Sequence, residues 1–113
     1  MRRAMAAALC VLAVGCGNLT HNDYVEARAS AECKKIAVCH TGFFDSEYRD
    51  HDDCVKEFGN VLDDLEDTVF NDCDYDGDEA RRCTSRVNGM GCEDYAEGDA
   101  SRACDQVWNC YDL

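Results

Sequence analysis

The sequence predicts a small all-α fold, a bundle of about four helices stapled by disulfides. Apolar residues recur at helical spacing, strand-like alternation is absent, and the chain has 113 residues with 10 cysteines and no proline. A chain of this length allows one domain at most and buries only a modest apolar core. Disulfides are therefore expected to supply part of its stability.

The first two helices follow from apolar spacing and capping residues. Helix one is predicted from Asp23, with Asn22 as its N-cap and Gly42 at its C-terminal end. Helix two is predicted from the cap Asp50 to about Asn71 and is expected to be the longest. The expected inward residues are Val25, Ala29, Cys33 and Ile36 in helix one, and Cys54, Phe58, Val61, Leu65 and Val69 in helix two.

The last two helices are predicted in the C-terminal half. Helix three runs from about Asp78 to Asn88, with Gly89 as terminator, and its inward residues are Ala80, Cys83 and Val87. Segment 94–110 repeats segment 23–39, with identical residues at seven of seventeen positions. Either common descent or similar packing roles explains the repeat. Both explanations predict that 94–110 is a fourth helix equivalent to the first.

The N-terminus has the organisation of an export signal. Arg2 and Arg3 precede an apolar stretch, 4–14, which is too short to span a bilayer as a helix but suits a signal-peptide core. The segment 13–16, AVGC, at the end of this stretch resembles the signal of bacterial lipoproteins. The resemblance implies that residues 1–15 are removed and that Cys16 is lipidated with acyl chains such as palmitate. It leaves 16–22 as a tether and 23–113 as a cysteine-rich helical domain.

Cysteine parity favours lipidation over the alternative, a plain secretory signal that leaves Cys16 as a thiol. Loss of Cys10 with the signal leaves nine cysteines, and lipidation of Cys16 leaves eight, an even number. These eight are expected to form four disulfides. They are Cys33, Cys39, Cys54, Cys73, Cys83, Cys92, Cys104 and Cys110.

Helix geometry restricts how these cysteines pair. Two cysteines six residues apart on one helix are separated by about 9 Å of rise, which is beyond the span of a disulfide. Cys33 should therefore not pair with Cys39, and the same holds for Cys104 and Cys110. The bonds are expected to join different helices. The best single prediction is Cys39 with Cys54, because a helical hairpin brings the end of helix one near the start of helix two.

The segment 72–77 fits the opening of a calcium-binding loop. Asp72, Asp74 and Asp76 alternate before a glycine, and the Asp78 carbonyl offers a fourth ligand. The twelfth position, which should be a bidentate acid, is Cys83. The other interpretation is an acidic loop in which Asp76 or Asp78 caps helix three. No metal site is predicted, and these four aspartates remain a weak candidate.

Segment 63–79 holds nine acids and no base, and removal of the signal takes the formal charge from −13 to −15. Such a run is either a solvated helix face or a docking surface for a basic partner. Arg81, Arg82 and Arg86 follow it and are expected to neutralise it in part. A pI near 4.3 excludes ordinary nucleic-acid binding, because phosphate contacts need a basic patch.

No cofactor is predicted. The spacing of Cys33, Cys39 and His40 is too wide for haem attachment, and exported thiols oxidise before they become stable zinc ligands. His40 and His51 are expected on loop surfaces, and His21 in the tether. The sequence lacks the common hydrolase and phosphate-binding motifs, so enzymatic activity is not expected.

Aromatic residues are expected to have packing roles. Phe43, Phe44 and Tyr48 are predicted to cover the core from the loop between helices one and two. Trp108 is predicted to pack near helix four.

Beyond the signal, the body resembles the small cysteine-rich helical lipoproteins of myxobacteria and their relatives. The shared features are C-x5-C at both ends and the C-x3-F entry to the long helix at Cys54 and Phe58. The resemblance brings no activity with it and implies a place in the bacterial cell envelope. Gly17, rather than aspartate, after the lipidated cysteine implies sorting to the outer membrane, facing the periplasm or the surface.

Two functions are compatible with these observations. The first is a lipid-anchored, non-catalytic interaction or structural module that binds a basic protein or envelope partner through its acidic surface. The alternative is a small-ligand or divalent-cation binding protein that uses the Asp72–Asp78 loop. The sequence leaves the oligomeric state open.

Overall fold

The computed structural model describes residues 19–110, so the predicted signal peptide and Cys16 lie outside the described residues. The described part is 73% helical, and four of its six helices have seven or more residues. The elements are α1 (His21–Cys39), α2 (Thr41–Glu47), α3 (His51–Thr68), β1 (Asp74–Tyr75), α4 (Gly77–Gly89), α5 (Cys92–Ala96), α6 (Asp99–Ala103) and β2 (Trp108–Asn109). The predicted small all-α fold is confirmed. Within residues 19–110, no helix has the length and apolarity needed to cross a membrane.

α1 begins two residues earlier than predicted because Thr20, not Asn22, caps it. The Thr20 Oγ1 accepts a hydrogen bond from the Asp23 amide at 3.3 Å. The preceding Leu19 packs against the core, and its amide donates to the Gly77 carbonyl at 3.0 Å. The folded domain therefore includes Leu19, and the predicted tether is wrong over its last four residues.

A separate helix, α2, occupies what was predicted to be a loop. α1 ends at Cys39 rather than near Gly42, and α2 follows after one residue. No residue of α2 is buried. The rings of Phe43 and Phe44 instead pack beside Tyr48, with ring centroids 6.3 and 5.5 Å away. The prediction that these aromatic residues cover the core is therefore wrong.

α3 begins as predicted and ends early. The Asp50 side chain accepts a hydrogen bond from the Asp53 amide at 2.8 Å, which confirms the predicted cap. The helix stops at Thr68, before Asn71, because the next two amides both bond the Leu65 carbonyl. α3 has 18 residues and α1 has 19, so α3 is not the longest helix.

α4 matches its prediction closely. The Asp76 carboxylate caps it and accepts hydrogen bonds from the amides of Asp78 and Glu79 at 3.1 and 3.0 Å. The helix extends through Gly89, one residue beyond the predicted end. Its predicted inward residues are fully buried: Ala80, Cys83 and Val87. α1 packs against both α3 and α4 and forms the centre of the domain.

The predicted fourth helix over 94–110 is wrong. Gly98 has a φ of 85°, in the left-handed region, and separates the short helices α5 and α6. Gly98 stands where the first copy of the repeat has Ala27, a residue that favours a continuous helix. After Cys104 the chain leaves the helix and forms β2, which pairs antiparallel with β1. The paired residues are Asp74 with Asn109 and Tyr75 with Trp108.

The core is small and lies between α1, α4 and the C-terminal segment. Most of its members are alanine, valine or cysteine. Because these side chains are small, the core buries little apolar area relative to the number of residues that folding orders. The buried cluster comprises Tyr24, Ala31, Ala80, Cys83, Val87, Ala100, Cys104 and Val107.

All eight cysteines of the described domain are paired, as predicted. The bonds are Cys33–Cys54, Cys39–Cys92, Cys73–Cys110 and Cys83–Cys104. The exclusion of both local pairs is confirmed, whereas the predicted Cys39–Cys54 bond is wrong. α3 begins beside the middle of α1, where His51 contacts Ser30, so Cys54 reaches Cys33 instead of Cys39. Cys73–Cys110 joins the segments outside β1 and β2 rather than two helices.

Candidate functional site

The most acidic part of the domain is the second half of α3 and the segment that follows it. Five of the nine acids of segment 63–79 are exposed, and none of these five forms a salt bridge within residues 19–110. They are Asp63, Asp64, Asp67, Asp72 and Asp74. We call these five residues the acidic surface.

The other four acids of the segment are engaged within the domain. Glu66 lies 2.8 Å from His21 Nε2, and Asp76 caps α4. Asp78 accepts from Arg81 and Arg82, as does Glu79 from Arg82. The expected neutralisation by these arginines is therefore present at the C-terminal end of the segment. It leaves the acidic surface itself uncompensated.

The Asp72–Asp78 loop does not form the candidate divalent-cation site. Asp74 is in β1, Asp76 turns its carboxylate to the amides of α4, and Asp78 pairs with two arginines. Among residues 19–110, no group of three or more His, Cys, Asp or Glu side chains is arranged to hold a metal ion. The other interpretation, an acidic loop with Asp76 as a helix cap, is the one observed.

The histidines occupy helix ends rather than a tether and a loop. His21 is the first residue of α1, and its ring contacts the edges of Tyr75 and Trp108 with centroids 5.5 and 5.6 Å away. His51 is the first residue of α3, and its Nε2 lies 3.3 Å from Ser30 Oγ. His40 is exposed, as predicted. The sequence missed the role of His21 because its partners are distant along the chain.

α3 carries an apolar stripe that the domain leaves partly uncovered. Val61 and Leu65 of α3 and the C-cap residue Val69 follow one another at intervals of four residues and are 56%, 39% and 55% exposed. Of all the residues of α3, only Cys54 is fully buried. The α3 stripe, defined by these three residues, was predicted to face inward. The structure shows that it faces solvent beside α1.

A cavity of about 230 Å³ opens beside the α3 stripe. Its apolar lining joins α1, α3 and β2, and the stacked rings of Phe70 and Trp108 form one wall, with centroids 5.5 Å apart. Leu65 belongs to both the cavity and the α3 stripe, so the two make one continuous apolar surface. The lining includes Val25, Leu62, Leu65, Phe70, Trp108 and Asp105.

One wall of the cavity is fixed by a polar network. Arg28 Nε bonds the buried Glu32 carboxylate at 3.2 Å, and its Nη1 bonds the Tyr24 hydroxyl at 2.9 Å. Glu32 also accepts a hydrogen bond from the Tyr95 hydroxyl. Burial, reinforced by the hydrogen bond and charge of Glu32, raises the pKa of Tyr95. The buried Glu32 carboxylate therefore compensates the charge of Arg28 from inside the domain.

Acidic side chains border both the α3 stripe and the cavity. Glu57 and Asp64 lie four residues before and three residues after Val61, so they are its neighbours on the helix surface. Asp105 lines the cavity. All three are exposed, and none of them forms a salt bridge within the described residues.

The sequence contains one indication of this site, Trp108, although the sequence predicts only a packing role for that residue. Trp108 is the chain's only tryptophan, and it is half-buried in a C-terminal segment with few other large apolar residues. Its partner Phe70 follows the end of α3. The pairing of β1 with β2 and the adjacent Cys73–Cys110 disulfide bring the two rings together.

No family model matches this chain, and searches of curated proteins and of solved structures likewise give no match.

Proposed function

We propose that this protein is a lipid-anchored cell-envelope protein whose helical domain is a non-catalytic interaction module. The observation that carries the proposal is the acidic surface, five exposed carboxylates that have no basic partner within residues 19–110. Uncompensated charges of one sign raise the local concentration of an oppositely charged partner and speed its association. The domain therefore suits a basic envelope protein or peptide.

The four disulfides indicate an oxidising, extracytoplasmic location. The anchor is supported by parity, because every cysteine of residues 19–110 is paired and Cys16 is left over once the signal is removed with Cys10. Cys16 precedes Leu19 by three residues, which reach about 10 Å when extended. A lipid on Cys16 would hold the acidic surface close to the bilayer, and the resemblance in sequence favours the outer membrane.

Intact mass and peptide mapping of the protein made in its own host test the anchor and the disulfides together. We expect a mature form that begins at acylated Cys16 and partitions into detergent. The Cys16→Ser variant should lose both the lipid and its processing. A soluble mature form with an unmodified Cys16 thiol would refute the anchor while leaving the interaction module untouched.

Binding to polylysine tests the role of the acidic surface. The full chain with Asp63→Asn, Asp64→Asn and Asp67→Asn should bind polylysine more weakly than wild type at 0.15 M salt, where screening acts over about 8 Å. The matched control carries Asp45→Asn, Glu47→Gln and Glu93→Gln, which remove the same number of exposed acids from α2 and α5. Equal losses in the two variants would mean that net charge, rather than this surface, attracts basic partners.

A further inference from the structure

The α3 stripe and the adjoining cavity add an apolar surface to the charged one on which the proposed interaction depends. We propose that this surface is a docking groove for a basic amphipathic helix of a partner protein, with one bulky apolar side chain of that helix inserted in the cavity. The inference rests on the proposed function and deepens it by assigning the face and the kind of partner.

The α3 stripe is exposed over a considerable length. Val61, Leu65 and the C-cap residue Val69 span about 12 Å along the axis of α3, the length of two helical turns. Apolar residues at this spacing normally face a neighbouring element, and here solvent reaches them. A helix laid along the stripe would cover them in the way that amphipathic helices fill apolar grooves.

The cavity is small enough for a single side chain. Its volume of about 230 Å³ lies below the range of about 300–1,000 Å³ typical of pockets for drug-sized ligands. Its walls are mainly aliphatic and aromatic, from Leu62, Leu65, Phe70 and Trp108. Such a cavity suits a single leucine or aromatic anchor, the kind of residue that dominates binding energy at interfaces.

Charge complementarity selects a basic helix over other occupants. Glu57 and Asp64 are neighbours of Val61 in the α3 stripe, and Asp105 lines the cavity. Lysine or arginine residues flanking the apolar face of a bound helix would meet these carboxylates. Arg28 adds no competing positive charge, because Glu32 compensates it.

Trp108 provides the readout, because it is the only tryptophan and lies in the cavity wall. The probe is a synthetic peptide without tryptophan, in which leucines fall on one helical face and lysines on the others. A scrambled peptide of the same composition is its control. The full chain is reconstituted in phosphatidylcholine liposomes, and Trp108 emission is followed during titration.

We expect the amphipathic peptide to shift the emission of Trp108 to shorter wavelength and to bind at least about fivefold more tightly than the scrambled peptide. Leu65→Ser should weaken its binding by at least about fivefold. Val38→Ser is the matched control, because Val38 is 74% exposed on α1 and does not line the cavity. It should leave binding unchanged. Thermal melts of both variants verify that each is folded.

Three results would overturn the inference. Equal, salt-sensitive binding of both peptides with no effect of Leu65→Ser would leave an acidic surface that attracts any polycation, so the proposed function would survive without the groove. Failure of both peptides to bind would remove the proposed function as well. Quenching of Trp108 by brominated phosphatidylcholine in the absence of peptide would show that this face lies against the bilayer instead.

Discussion

The Tyr95 hydroxyl donates a hydrogen bond to the Glu32 carboxylate and thereby joins α5 to the centre of α1. Glu32 is only 4% exposed, and its carboxylate forms a salt bridge with Arg28. The short α5 has no buried residue of its own. Its attachment to the domain therefore depends on this hydrogen bond and on the nearby Cys39–Cys92 disulfide.

Tyr95→Phe should lower the free energy of unfolding by about 1–2 kcal/mol, because it leaves a buried carboxylate with one donor fewer. The control is Tyr48→Phe, since the Tyr48 ring packs against Phe43 and Phe44 and its hydroxyl makes no hydrogen bond within the described residues. Urea melts of both variants measure the difference. Equal losses would contradict a specific role for the bond to Glu32.

Stability should fall at alkaline pH because the pKa values of Tyr75 and Tyr95 are raised in the folded state. Burial is the largest cause for both residues. The unfolded chain loses these phenolic protons near pH 10, whereas the folded protein retains them, so the stabilisation is complete below pH 10 and is lost as pH rises through the folded-state pKa. Reversible melts between pH 8 and about pH 11 test this, and Tyr95→Phe should flatten the decline. A rise in stability over that range would refute it.

The Cys83–Cys104 bond should contribute more to stability than Cys73–Cys110, although it closes the shorter loop. Loop closure alone favours Cys73–Cys110, which spans 37 residues rather than 21, by about 0.5 kcal/mol. Cys83 and Cys104, however, are buried in the core, so their replacement also leaves a cavity. Paired replacements by alanine, compared in urea melts, measure both contributions. A larger loss without Cys73–Cys110 would contradict the argument.

Asp76→Ala should cost about 1 kcal/mol, because it removes the cap that satisfies two amides at the start of α4. The matched change Asp74→Ala removes an exposed carboxylate from the same loop and should cost less.

Calcium should protect neither protein specifically. A saturable calcium site tighter than about 10⁻⁵ M, lost in Asp74→Asn, would instead restore the loop as a binding site.

Local features were predictable where local forces decide the structure. Asp50 was recognised as a cap because its side chain satisfies an amide three residues away, and the inward face of α4 followed from helical spacing. The failure over 94–110 has one local cause and one distant cause. The repeat in 94–110 predicted a helix, but Gly98 and the pairing of β2 with β1 divide that segment.

The candidate site was the least predictable part. Leu65 has the spacing of a core residue, and nothing within α3 reveals that no other element covers it. Phe70 and Trp108 meet because β1 pairs with β2 and Cys73 bonds Cys110, two contacts between segments that are distant along the chain. The run of carboxylates in segment 63–79 was visible in the sequence, whereas the identity of its engaged and unpaired members depended on partners such as His21, Arg81 and Arg82.

The four disulfides overlap along the chain, so that each peptide bond from Cys33 to Cys110 lies inside at least one covalent ring. A protease that cuts once anywhere in this range therefore releases no fragment until the cystines are reduced. Segment 19–32 lies outside every ring. A single cut in this first half of α1 would leave residues 33–110 in one covalent piece but would separate them from the preceding part of the helix, which includes the core residue Tyr24.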